Sequence, residues 1–273
     1  MNAEWKEKKI AGGRLIDHAG GRLALRHELA EVAIPDATTT YKPVPYTSFL
    51  ERLERQLAVD GFTVSEEQYM LSKDGMQMGA LWGIQHAELK CDGFKPVLTA
   101  LSSYNKTTPR KVMCGFNVTA CLNQAMWSDL AISRRNTLNA DRDTMYFMAE
   151  LSARLLPAFV RQNGVIERFK NAPLTVRDSD HLMIESWRCG AINSSDIARV
   201  AKEYAKPHHE EFAGRTVWSL FNATTEVLKG SNFWQLPQST RLLTDLFATE
   251  VGAGPTATPA TDGVIPLEFP TAN

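Results

Sequence analysis

The sequence predicts an α+β fold: an N-terminal helix and antiparallel sheet followed by a helical C-terminal half. Three observations predict it. Apolar residues recur at helical period over 47–59, alternation at strand period dominates 62–118, and helical spacing returns over most of the remainder. Strands grouped together, then helices grouped together, argue against a doubly wound sheet. The chain divides into a loosely structured segment (1–44), a single α+β domain (45–250) and a tail (251–273) rich in Gly, Pro, Ala and Thr.

The elements follow in order. Before residue 45, paired glycines and Pro35, Pro43 and Pro45 interrupt regular structure, leaving 23–32 as a short helix or strand. The first helix spans 47–59, with Phe49, Leu50, Leu53 and Leu57 on one stripe and Glu51, Arg52, Glu54 and Arg55 on the other side. Ser48 and Glu51 have capping-box spacing, and Asp60-Gly61 closes the helix. Four strands are expected at 62–72, 76–85, 96–103 and 110–118, the first two joined by the Lys73-Asp74-Gly75 turn. The simplest topology for them is an antiparallel meander. In the fourth, Lys111, Met113 and Gly115 face one way and Val112, Cys114 and Phe116 the other. From Thr119 the spacing of Leu122, Met126, Trp127 and Leu130 predicts a helix. Further helices are expected at 144–160, ended or kinked by Pro157, and at 196–204, 216–229 and 240–249.

Composition excludes some classes. No run reaches the roughly 18 apolar residues of a spanning helix, so no membrane partner is expected. The polar, charged beginning lacks an apolar signal core, which places the expected location in the cytoplasm. There Cys91, Cys114, Cys121 and Cys189, none in a C-x-x-C pair, read as small hydrophobes rather than disulfides or zinc ligands.

The chain carries a net charge of −1, yet residues 104–135 hold Lys106, Arg110, Lys111, Arg134 and Arg135 against Asp129 alone, an excess of four positive charges. Such an excess marks a docking place for an anion. Arginine and lysine suit phosphate, and Tyr104, Phe116 and Trp127 lie in the same stretch to stack on bases. The candidate nucleic-acid-binding residues are Tyr104, Asn105, Lys106, Arg110, Lys111, Arg134 and Arg135. The competing reading is a solvated charged surface over a core that takes the aromatics.

Other constellations carry less. His208-His209-Glu210-Glu211 lacks chelating spacing, and no H-E-x-x-H, G-x-S-x-G, phosphate-binding loop or G-x-G-x-x-G is present. Arg177-Asp178-Ser179-Asp180-His181 reads as a polar turn, with Asp178, Asp180 and His181 the anchors of any enzymatic alternative. Val217, Trp218, Phe221 and Val227 read as core. No metal, cofactor or catalytic residue is expected.

Three pieces carry a resemblance: SSYNKTTPRKVMCGFNVTACLNQA, the RRNT of 134–137, and TVWSLFNATTEVLKG. Together they resemble the uncharacterised YfjQ/YafZ/YubP-like proteins of plasmids and cryptic prophages of enteric bacteria, over roughly 43–230. The resemblance implies mobile-element biology: recombination, plasmid establishment or the countering of host defence. The layout of helix, antiparallel strands and helix is also similar to phage single-strand annealing proteins, which bind DNA beside a sheet. The expected function is therefore binding of single-stranded nucleic acid in a basic groove, without catalysis. The alternative is a protein-interaction module that inhibits a host nuclease or defence factor. Oligomeric state is left open.

Overall fold

A computed structural model of the protein describes residues 7–10, 13–16, 19–118, 124–229 and 231–254. Strands β1 (Glu7–Ile10) and β2 (Gly13–Ile16) pair only with each other. The main sheet contains β3 (Arg22–Ala24), β4 (Thr63–Leu71), β5 (Gln77–Gln85), β6 (Phe94–Ser103), β7 (Arg110–Val118) and β8 (Gln124–Arg134). These six lie side by side in sequence order, each antiparallel to its neighbours. Helices α1 (Arg26–Glu31) and α2 (Tyr46–Val59) intervene between β3 and β4. The C-terminal half supplies α3 (Ala140–Asn171), α4 (Val176–Arg188), α5 (Ile197–Ala205), α6 (Val217–Leu228) and α7 (Leu236–Glu250). The fold is α+β, as its segregated periodicities predict.

The strands of the expected meander pair in sequence order, and β4 turns back tightly into β5. At the β4–β5 turn Gly75 has φ +72°, and the Asp74 carboxylate accepts hydrogen bonds from the Ser72 hydroxyl (2.5 Å) and the Met76 N–H (3.0 Å). One face of the sheet presents Ala80, Trp82, Ile84, Leu98, Ala100, Val112, Cys114 and Ile132. These residues share a core with Phe49, Leu50, Leu53 and Leu57 of α2 and with Phe147, Leu151, Leu155 and Phe159 of α3. Leu81, Val97, Leu101 and Met113 face the other way and meet Phe233. That contact requires Gly79, since a Cβ there would lie 2.2 Å from Phe233 Cε1. The second large core joins Phe94, Phe116 and Val118 to Phe169, Phe221 and Phe247, so α3 runs through both.

Several expectations are corrected. The helix expected after Thr119 is instead β8 over 124–134, while 119–123 lie outside the described residues. Pro157 does not end its helix: α3 continues through it to Asn171. Ser48 is not the cap of α2, because the helix already starts at Tyr46 after Pro45, whose fixed φ suits the entry. The polar turn at 177–181 belongs to α4, where Thr175 and Asp178 cap each other's backbone N–H groups. The segment before residue 45 contributes β3 to the main sheet and Leu29 and Val44 to the core. Of the expected tail, 255–273 lie outside the described residues, while Ala253 donates its N–H to Ala248 O at 2.8 Å.

Candidate functional site

The cationic stretch read from the sequence does not form one trough. Arg110 opens β7 and pairs in register with Arg134 of β8, so both occupy the helix-covered face. Arg110 is only 1 % exposed. Its Nε donates to Asn136 Oδ1 (2.6 Å), Nη2 to the Ala140 carbonyl (3.2 Å) and Nη1 to Thr144 Oγ1. A guanidinium enclosed by these groups cannot reach phosphate, which corrects its assignment as a contact. Lys111 follows in the strand and therefore projects to the opposite face, opposite Ser133. Arg134 donates to Glu150 Oε2 at 2.8 Å, and Glu150 also accepts from Arg154 at 2.8 Å.

Tyr104 is corrected as well. It is buried, with its ring stacked on Tyr46 at a centroid separation of 4.0 Å, and its hydroxyl accepts the Tyr46 N–H at 3.1 Å. Burial raises the pKa of both phenols, and no face of Tyr104 is left for a base. Asn105 and Lys106 are exposed in the β6–β7 turn. Asn105 Oδ1 accepts from the Thr107 N–H (3.2 Å) and hydroxyl (2.6 Å). Lys106 adopts φ +66° and lays its Nζ 4.7 Å from the centre of the Tyr41 ring. Arg135 is exposed between β8 and α3.

A different set of arginines lines one cleft. Arg52, Arg55, Gln56 and Val59 of α2 face Arg142, Thr144, Met145, Met148 and Ala149 of α3 across an open cleft of about 820 Å³. On α2 the lining recurs at i, i+3, i+4 and i+7, and on α3 Arg142, Met145 and Ala149 keep the same period. The cleft is set by packing beneath it. Phe49 meets Phe147 edge-on at 5.9 Å, and Gln56 Nε2 donates to Ser152 Oγ at 2.6 Å. Ser152 in turn donates to the Asp60 carboxylate at 2.7 Å. Thr144, the acceptor of Arg110, forms part of the cleft wall, so the buried guanidinium lies directly behind it.

The lining joins charge to apolar surface. Val59 is 80 % exposed and Met145 68 %, with Tyr146 and Leu138 also exposed on or beside the first turns of α3. Arg142 stands 4.0 Å from the Asp143 carboxylate, which also accepts from Thr137 Oγ1 at 3.3 Å. The arrangement suits a ligand that is anionic on one side and apolar or planar on the other. Helical periodicity sets Arg52 and Arg55 on the polar side of their helix, and Arg142 lies ahead of the helix expected at 144–160. The signal that could have found them is an arginine followed by an apolar residue on the solvent stripe of two helices.

Among the described residues no group of His, Cys, Asp and Glu could hold a metal ion, and no helix is long and apolar enough to cross a membrane. Compared with protein-family models, curated proteins and solved structures, the chain matches none.

Proposed function

We propose that the protein binds single-stranded nucleic acid in the cleft between α2 and α3. Phosphates lie against Arg52, Arg55 and Arg142, and bases rest on Val59, Met145 and Met148, with Tyr146 beside the mouth. The observation that carries this reading is that three arginines from two helices line one largely apolar cleft. Guanidinium groups serve phosphate through charge and paired donors, and bases accept apolar or planar partners regardless of sequence. Asn105, Lys106 and Arg135 remain as exposed peripheral contacts. The resemblance to plasmid and prophage proteins extends the proposal to recombination, annealing or plasmid establishment.

Anisotropy titration of a labelled oligothymidylate at several salt concentrations tests it. Each lost phosphate contact lowers the log–log salt slope by about 0.7 for a single strand, so replacing Arg52, Arg55 and Arg142 by Ala removes roughly two units. A salt-independent affinity, or an unchanged slope in the triple variant, overturns the proposal.

A second reading is favoured by the exposure of Val59, Met145 and Tyr146. Arg, Met and Tyr are enriched where proteins meet, so the same cleft would dock an acidic host protein. That reading requires the triple variant to lose the protein partner while the native chain leaves oligonucleotides free.

A further inference from the structure

Helix α3 keeps one side in solvent over most of its length, and the residues along that side form a palindrome. Met145, Ala149, Ala153, Leu156, Val160 and Gly164 follow at intervals of 4, 4, 3, 4 and 4 residues, with Arg142 three before them and Glu167 three after. All are exposed except Leu156, which is half-buried. The intervals repeat every 11 residues, about 3.67 per turn, so the row runs nearly straight along a helix. They also read the same in both directions. A second α3 laid antiparallel, about a two-fold axis between Arg154 and Leu155, therefore sets each member against another. Arg142 meets Glu167, Met145 meets Gly164, Ala149 meets Val160 and Ala153 meets Leu156. Every pair is complementary, cation with anion and large with small. Parallel pairing instead sets Arg142 on Arg142 and Met145 on Met145. We propose that the protein forms a two-fold dimer through antiparallel pairing of α3 with the same helix of a second copy.

Gly164 supports the pairing independently. An exposed glycine inside a helix costs about 1 kcal/mol relative to alanine. A Cβ at Gly164 would meet nothing within 4 Å, so packing inside one molecule does not require the glycine. The close approach of Met145 from a second copy does. Charge fixes the direction of the pairing. The Arg142 and Glu167 side chains are 62 % and 50 % exposed, and Glu167 also holds Lys170 at 2.7 Å. Ion pairs this exposed add little affinity and act mainly on orientation. From Arg142 to Glu167 the row extends about 38 Å at 1.5 Å per residue. One helix pair of that length is a small interface, which places the dissociation constant on the order of 10 µM. Arg142 and Met145 also line the α2–α3 cleft, so dimerisation and oligonucleotide binding compete. That consequence, unlike the dimer itself, rests on the function proposed above.

Sedimentation velocity of the full chain, run from roughly a tenth of that concentration to roughly ten times it, is expected to show monomer giving way to dimer. Gly164→Leu is expected to stay monomeric throughout. At low concentration, where both are monomers, it should melt no lower than the native chain, because leucine is the better helix former. Arg142→Glu and Glu167→Arg are each expected to weaken the dimer about ten-fold, and the two together to restore it, because the swap keeps a cation opposite an anion. A native chain that stays monomeric, or a dimer that tolerates Gly164→Leu, overturns the proposal. Failure of the double variant to recover overturns the antiparallel register. Saturating oligothymidylate is expected to dissociate the dimer, and bound oligonucleotide with the dimer intact overturns the shared surface. A dimer that persists because no oligonucleotide binds upholds the pairing and sinks the nucleic-acid reading alone.

Discussion

Arg110 is a buried cation whose partners include two neutral side chains and one carbonyl. Its sequence neighbours suggest a phosphate contact, but its place in β7 decides otherwise: it shares the alternation of Val112, Cys114 and Phe116, all buried. It is held instead by Asn136, Thr144 and the Ala140 carbonyl, and so ties the end of the sheet to the first turn of α3. Removing the guanidinium strands those acceptors. Arg110→Met is therefore expected to cost about 3 kcal/mol, and Arg110→Lys nearly as much, because an ammonium cannot replace a planar fork. Denaturant unfolding measures the loss. The oligonucleotide salt slope of Arg110→Met should stay at the native value, whereas Arg55→Ala, at an exposed position, should lower the slope and leave stability within about 0.5 kcal/mol. A reduced slope in Arg110→Met would return it to the binding surface.

At the scale of elements, α3 combines both sheet-facing and helix-facing cores in one rod. Its Leu151, Leu155 and Phe159 serve the first and Val165, Ile166 and Phe169 the second. Burial on both sides of Pro157 offsets the hydrogen bond that a proline denies to Ala153, so the helix passes the residue that the sequence marks as its end. Pro157 is itself exposed, and replacing it sacrifices no packing. Pro157→Ala is expected to stabilise the fold by about 2 kcal/mol, after allowing for the stiffer unfolded chain that proline provides. A thermal melt checks it, and an unchanged or lower Tm would mean that the break is needed. Elements were legible in the sequence where one periodicity ruled. The unbroken alternation from Arg110 to Val118 predicts β7 with its observed ends and separates its two faces. β8 failed because its register to β7 shifts between the Met113–Ala131 and Gly115–Met126 pairs. That irregularity destroys the period of two and leaves a spacing that imitates a helix. The cleft was hidden for a related reason. Helical periodicity assigns Val59 and Met145 no place on a polar face, and only the approach of two helices distant in sequence makes their arginines neighbours.

For the whole molecule, tyrosine links the pieces. Tyr41 of the N-terminal segment, Tyr46 of α2 and Tyr104 at the end of β6 form one buried seam, with Tyr41 Oη donating to the Tyr104 carbonyl at 3.3 Å. Tyr69 of β4 lies diagonally across from Trp82 of β5, whose Nε1 donates to its hydroxyl at 3.3 Å, and Tyr204 of α5 packs against the second core. Burial raises the pKa of all five, for Tyr69 with help from the hydrogen bond it donates to Glu67 at 2.5 Å. A phenol held protonated in the folded chain ionises first in the unfolded one. Its contribution is intact below the ordinary tyrosine pKa near 10 and is lost as pH climbs from there toward the folded value. Stability should therefore fall above about pH 10, by up to about 1.4 kcal/mol per pH unit for each tyrosine that keeps its proton. Because these phenols are spread over both cores and α3 runs through both, their ionisation and global unfolding should be one event. Tyrosinate absorbance near 295 nm is expected to rise in step with the loss of helical circular dichroism, at the same pH midpoint. If the seam tyrosines ionise while the helices remain intact, they are not enclosed between the N-terminal segment, α2 and the sheet.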